Sequence, residues 1–118
     1  MAYSEALKDH LANPRNAGEL EDADAAAEQS NPVCGDRLRL SLHVRAGRIE
    51  AARFLAYGCP PTLACGSALA SMLEGLTPEQ AARITRADIT AALGGLPARK
   101  QHAAALALET LHAALSQV

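Results

Sequence analysis

The clearest pattern of hydrophobic and polar positions runs from Arg37 to Val44. Every second residue there is apolar, which is the period of a strand with one buried face. Arg45–Arg48 has the composition of a turn, and apolar residues return over 49–57, so we predict an antiparallel hairpin. A break in the second alternation near Arg53 predicts a β-bulge. Because antiparallel strands return to the same end, residues flanking this hairpin are expected to meet.

Most of the remaining chain has helical spacing or helical start signals. Ser4 and Thr77 are good N-caps, and Gln80, three residues after Thr77, completes a capping box. Pro60-Pro61 suits the first turn of a helix. Helices are therefore predicted over 3–11, 62–76, 78–84 and 88–93, and from Pro97 onward.

The acidic, Ala-rich segment 19–30 has no clear period, and we interpret it as a loop with a weak edge strand around 25–29. Together with the hairpin and the helices, this predicts an α+β fold. It consists of a small antiparallel sheet of two to three strands with helices packed on one face. At 118 residues and 49% hydrophobic content, the chain is expected to form a single domain over 1–118.

Composition excludes several classes of function. A net charge of −2 and an aromatic content of 3% argue against nucleic-acid binding and against an anionic membrane surface. No apolar run approaches the ~20 residues of a membrane span. The N-terminal sequence lacks a signal-peptide pattern, so a cytoplasmic location is expected.

The three cysteines are the candidate chemical groups. An odd number in such a chain argues against a disulfide framework and favours thiol or metal chemistry. Cys34 precedes the predicted hairpin and Cys59 follows it, so antiparallel pairing brings these two thiols to one end of the sheet. Cys59 also precedes a helix N-terminus, where a thiolate is favoured.

Several motifs along nearly the whole chain carry a family resemblance. They are Tyr3-Ser4-Glu5, Asp9-His10, Asn13-Pro14-Arg15-Asn16-x-Gly18, Asn31-Pro32-x-Cys34-Gly35-Asp36, Arg53-Phe54-x-x-x-Gly58-Cys59 and Leu96-Pro97-x-x-Lys100-x-His102. In this order they resemble the IscU, NifU N-terminal and SufU-type iron–sulfur cluster assembly scaffolds.

The resemblance implies a small α+β scaffold that is not an enzyme. On such a scaffold a cluster, usually [2Fe-2S], is built from iron and from sulfur supplied by a cysteine desulfurase, and is then passed to apo iron–sulfur recipient proteins. Cys34, Asp36 and Cys59 match the family's first cysteine, the aspartate beside it and the second cysteine.

The family's third cysteine is missing, so the chain is identified as a divergent member. Alignment with the IscU-type run places His102 on the family's histidine and Ala103 on its cysteine. Alignment with the SufU-type run instead places His102 on the cysteine. We prefer the first alignment because it also retains Lys100.

The resemblance thus implies a metal site of Cys34, Asp36, Cys59 and His102. These residues supply two sulfurs, an oxygen and a nitrogen, which suit a [2Fe-2S] cluster, iron or tetrahedral zinc. With only two thiolates, the cluster would be held weakly, as expected of a carrier. A homodimer would combine the thiolates of two chains.

Two further residues are accessory candidates. Cys65 is interpreted as a small buried residue inside a helix, and the alternative is that it replaces the missing third cysteine. Lys100 is interpreted as a residue at the rim of the metal site, and the alternative is an ordinary solvated lysine. The other histidines are read as surface residues: His10, His43 and His112. Two alternative functions remain open, a zinc-bound sulfur (persulfide) acceptor that works with a desulfurase and a degenerate interaction module without metal.

Overall fold

The computed structural model describes residues 3–32 and 35–118. Its elements follow the predicted order of a helix, a small sheet and then helices. They are α1 (Glu5–Ala12), β1 (Ala25–Ser30), β2 (Arg37–Arg45), β3 (Arg48–Tyr57), α2 (Pro60–Leu73), α3 (Pro78–Ala81), α4 (Arg86–Ala92), a 3-10 turn (Ala98–Lys100) and α5 (Gln101–Leu115). The α+β prediction is confirmed.

The sheet is antiparallel, with β2 between β1 and β3. At its centre, Leu40 pairs with Ala27 on one side and with Phe54 on the other. The β2–β3 turn places Ala46 and Gly47 at φ 53° and 76°, the left-handed values that a tight hairpin turn requires. The weak edge strand predicted around 25–29 is confirmed as β1, which pairs with β2.

The β-bulge lies elsewhere than predicted. His43 opposes Ala51 whereas Val44 opposes Ile49, so Glu50 is the extra residue of β3. Ile49 and Ala52 are both buried. In a regular strand, residues three apart face opposite sides of the sheet, so the extra residue of the bulge lets both of them face the core. The prediction of a bulge near Arg53 is therefore wrong by three residues.

Both edges of the sheet are partly covered by other parts of the chain. On β1, the side-chain amide of Gln117 donates to the carbonyl of Ala26 and accepts from its N–H. On β3, the N–H of Phe54 donates to the carbonyl of Asn16, and the N–H of Gly18 donates back to the carbonyl of Phe54. These contacts satisfy edge groups that would otherwise be open to another strand.

The helix starts follow the capping signals. Thr77 and Gln80 form the predicted capping box, and Ser4 caps α1. Helix α2 ends at Leu73, three residues before the predicted end. Beyond this point the N–H of Gly75 donates to the carbonyl of Ile49 in β3 instead of to a carbonyl of the helix.

Helices α2 and α5 lie on one face of the sheet and form the core with it. Gly66 allows the close approach of α2, since a Cβ there would lie 2.5 Å from the Phe54 ring. The largest fully buried apolar side chains are Leu7, Leu38, Leu40, Leu42, Ile49, Leu69, Leu73, Ile89, Leu93 and Leu111. Among the described residues, no helix has both the length and the apolar character needed to cross a membrane.

Candidate metal centre

Three elements bring potential metal ligands to one end of the sheet. Asp36 directly precedes β2, Cys59 is the N-cap of α2, and His102 is in the first turn of α5. The carboxylate oxygen, the thiol sulfur and the imidazole nitrogen of these residues all lie within 4.8 Å of one another. Residues far apart in sequence thus form one compact group of donor atoms.

Asp36 is at the centre of this group. Its side chain is buried, with 4% of the residue exposed. Oδ1 accepts a hydrogen bond from the N–H of Cys59 at 3.1 Å, and Oδ2 accepts one from the hydroxyl of Thr62 at 2.9 Å. Oδ2 also lies 3.3 Å from both Cys59 Sγ and His102 Nε2. A buried carboxylate needs such partners because an isolated buried charge is strongly destabilising.

Gly58 makes the contact between Asp36 and Cys59 possible. Its φ is +139°, and a Cβ built on it would lie 2.0 Å from Asp36 Oδ1. Only a residue without a side chain allows the carboxylate to approach the backbone before α2 this closely. The Gly58-Cys59 motif therefore has a direct steric reason.

Solvent reaches the group from the side of His102. The imidazole side chain is 30% exposed, and Cys59 is half-buried. A cavity of about 300 Å³ lies beside His102 and is also lined by Asn31, Leu106 and Glu109. An ion or a small cluster in this cavity can approach the imidazole of His102 without unfolding the core.

The structure bears differently on the predicted ligands. It brings Asp36, Cys59 and His102 together, and the contact between Asp36 and Cys59 shows that the two ends of the hairpin meet as expected. Cys34 lies outside the described residues, so its place in the site stays a prediction. Of the two positions aligned with the family's third cysteine, His102 is in the group, whereas Ala103 is fully buried.

The two accessory candidates lie outside the donor group that the described residues form. Cys65 is fully buried in the hydrophobic core, and burial, with a smaller contribution from Cys59, raises the pKa of its thiol to about 12. Lys100 is the last residue of the 3-10 turn before α5 and is half-buried. Helix α2 keeps its first turn intact at Pro60, so the unwinding that would bring Cys65 to the site is not observed.

Two residues have roles that the sequence reasoning missed. Thr62, fully buried in the first turn of α2, contacts both Asp36 and Cys59. Its position three residues after Cys59, at the start of a predicted helix, could have indicated that the two side chains lie close together. His10 was read as a surface residue, but its Nδ1 lies 2.7 Å from the hydroxyl of buried Ser67, which corrects that interpretation.

Comparison with known proteins shows the family of this chain. The model of the NifU-like N terminal domain family matches residues 2–118. The chain belongs to this family. The match covers all but the first residue of the chain.

Two curated relatives and one solved structure illustrate the similarity. The iron–sulfur cluster assembly scaffold protein IscU 1 of Archaeoglobus fulgidus is 42% identical over 113 residues, which cover 96% of this chain and 74% of that protein. The nitrogen fixation protein NifU of Cereibacter sphaeroides is 48% identical over 104 residues, 88% of this chain and 42% of that protein. The solved structure of a proposed iron–sulfur cluster assembly scaffold protein for the SUF system, from Fervidobacterium islandicum, has the same fold. Its TM-score is 0.79 at 21% identity, with 96% of both chains covered.

Proposed function

We propose that this member of the NifU-like N terminal domain family is an iron–sulfur cluster assembly scaffold or carrier. It transiently binds iron or a [2Fe-2S] cluster as cargo at Cys34, Asp36, Cys59 and His102 and delivers it to apo proteins. Relatives named as scaffolds, at 42% identity over most of the chain, support this proposal. The observation that carries it is the meeting of Asp36, Cys59 and His102 within 4.8 Å.

The contacts of this group explain why binding would be reversible. Without cargo, Cys59 and His102 are within hydrogen-bond distance of Asp36 Oδ2, so the donor atoms already have partners. Cargo must replace these hydrogen bonds, and Cys59 must give up its proton. A site with two thiolates and two weaker ligands then binds iron and sulfide less tightly than four thiolates do. Such a site favours transfer over storage.

The remaining expectations belong to the same proposal. A cysteine desulfurase would supply the sulfur, and apo iron–sulfur proteins would be the recipients. The chain would act in the cytoplasm, as a single domain over 1–118 and without catalysing a reaction itself. A homodimer that shares one cluster would bring two copies of Cys34 and Cys59 together.

The experiment is anaerobic reconstitution with iron and sulfide, followed by visible spectra and by iron and sulfide analysis. Wild type is compared with Cys34→Ala, Cys59→Ala and His102→Ala, and Cys65→Ala is the matched cysteine control because Cys65 is buried in the core. We expect a cluster spectrum in wild type and in the control, its loss without Cys34 or Cys59, and a weaker, less stable spectrum without His102. A wild type that binds neither iron nor zinc contradicts the proposal and leaves an interaction module without metal.

A second candidate function is that of a zinc-bound sulfur acceptor. The mixture of sulfur, nitrogen and oxygen donors at Cys59, His102 and Asp36 favours it, because tetrahedral zinc accepts all three. In this reaction a released Cys thiolate attacks the outer sulfur of a desulfurase persulfide, and the desulfurase thiolate leaves. Zinc in the protein as purified, together with persulfide formation on Cys34 or Cys59 in a desulfurase assay, would select this function over the first.

A further inference from the structure

Thr62 lies between two of the candidate ligands. The residue is fully buried in the first turn of α2. Its Oγ1 is 2.9 Å from Asp36 Oδ2 and 3.3 Å from Cys59 Sγ. A single hydroxyl therefore links the carboxylate of Asp36, before β2, to the thiol of Cys59, the residue at the N-cap position of α2.

This hydroxyl differs from the other neighbours of Asp36 Oδ2. Cys59 Sγ and His102 Nε2 are themselves candidate ligand atoms, and an atom that binds a metal can no longer donate a proton to Asp36. Thr62 has no such second task, because a neutral hydroxyl is a poor ligand for soft metals. Its hydrogen bond can hold the carboxylate before and after cargo binds.

We infer that Thr62 is a positioning residue of the metal centre. It fixes the orientation in which Asp36 and Cys59 present their donor atoms. Its hydrogen bond to Oδ2 adds to the one that Oδ1 accepts from the N–H of Cys59, and both can persist when the thiol and the imidazole bind the metal. Outer hydrogen bonds of this kind usually change metal affinity by 10- to 100-fold. The inference rests on the proposed function, since it concerns the same metal site.

The test separates the hydroxyl from the packing of the side chain. Thr62→Val removes the hydroxyl but retains the branched shape, and Thr62→Ser retains the hydroxyl. Thr110→Val is the matched control, because Thr110 is also fully buried and its hydroxyl donates at 2.8 Å to the carbonyl of Leu106 within α5. Zinc affinity is measured by competition with a chelator, and the free energy of unfolding by urea.

We expect Thr62→Val to bind zinc about tenfold more weakly than wild type, and Thr62→Ser and Thr110→Val to bind it as wild type does. Both Val variants lose some stability, so only affinity separates them. Wild-type affinity in Thr62→Val, or an equal loss in Thr62→Ser, overturns the inference.

A measurement on the metal-free protein keeps the two proposals apart. Three-bond couplings report χ1 of Asp36, which we expect to be a single rotamer in wild type and Thr62→Ser and averaged in Thr62→Val. If wild type bound no zinc and no iron, the proposed function would fail, and these couplings would still decide whether Thr62 positions Asp36. A single unchanged rotamer in all three proteins speaks against a positioning role.

Discussion

Cys59 and Cys65 are on the same helix, yet their surroundings have little in common. Cys59 is the half-buried N-cap of α2, where its sulfur lies 3.3 Å from Asp36 Oδ2 and from Thr62 Oγ1. Cys65 is fully buried among apolar side chains in the middle of the helix, and burial raises its pKa to about 12. Within the described part of the chain, the thiol of Cys59 has polar partners and access to solvent, and the thiol of Cys65 has neither.

The difference shows that position in the fold, rather than residue type, assigns a cysteine its chemistry. At the N-terminus of α2, the thiol of Cys59 lies beside a carboxylate and a hydroxyl and is partly open to solvent. The helix interior faces the sheet, where a thiol behaves as a small apolar group. Each prediction below tests one side of this contrast.

The largest expected contrast is in alkylation. With a pKa of about 12 instead of the usual 9.0, the thiolate fraction of Cys65 near pH 8 is lower by about 1000-fold, and burial excludes the reagent as well. Iodoacetamide should modify Cys59 in the native protein and Cys65 only in urea, as measured by peptide mass spectrometry. Equal rates for the two thiols in the native protein would show that the contrast is wrong.

The next largest effect is expected from Gly58→Ala, which disturbs the contact between Asp36 and Cys59. The new Cβ would lie 2.0 Å from Asp36 Oδ1 at a φ of +139°, so the carboxylate must move away from the backbone of Cys59. We expect the free energy of unfolding to fall by about 3 kcal/mol or more. Zinc affinity should fall with it.

Gly47→Ala is the control for backbone strain alone. Gly47 has φ +76° in the hairpin turn, and a Cβ there meets no atom within 4 Å. A loss of about 1–2 kcal/mol with unchanged zinc affinity is expected. Similar results for the two variants would mean that the approach of Asp36 to Gly58 has no special role.

A smaller effect is expected from Cys65→Ala. Removal of the buried sulfur loses packing in the core, which we expect to lower the free energy of unfolding by about 1 kcal/mol. Zinc affinity should stay at the wild-type value, because Cys65 lies outside the donor group. Urea unfolding measures the first quantity and chelator competition the second. A loss of zinc binding would show that Cys65 contributes to the metal site.

The smallest effect concerns His10, which joins α1 to the helix that carries both cysteines. Ser67 Oγ accepts a hydrogen bond from the N–H of Arg15 and lies 2.7 Å from His10 Nδ1. Burial, and then Arg15, lower the pKa of His10 in the folded protein. This contribution to stability is present above pH 6.5 and is lost as the pH falls through the lowered pKa.

His10→Gln removes this titration. We expect the free energy of unfolding of wild type to fall more steeply between pH 7 and pH 5 than that of the variant, as measured by urea unfolding at each pH. His112→Gln replaces an exposed histidine of α5 and serves as the control with a wild-type slope. Parallel curves for all three proteins contradict the role of His10.

Local patterns predicted much of the fold. The alternation of Leu38, Leu40 and Leu42 located β2, and the Thr77 capping box located the start of α3. The β-bulge was misplaced because alternation in β3 is read from one strand, whereas a bulge is a relation between two strands. His10 was misread because its partner, Ser67, lies on another helix.

The sequence by itself determined the order of the elements, the α+β class and the family, since these depend on local periodicity and on motifs in register. It also indicated Asp36, Cys59 and His102 as a group, through the family resemblance. The sequence also predicted that Cys65 is a small buried residue, which the structure confirms. Only the tertiary structure decided that the buried carboxylate of Asp36 contacts both Cys59 and His102, and that Thr62 links Asp36 to Cys59. These facts depend on how β2, α2 and α5 pack together, and packing over long sequence separations leaves no periodic signal in a single sequence.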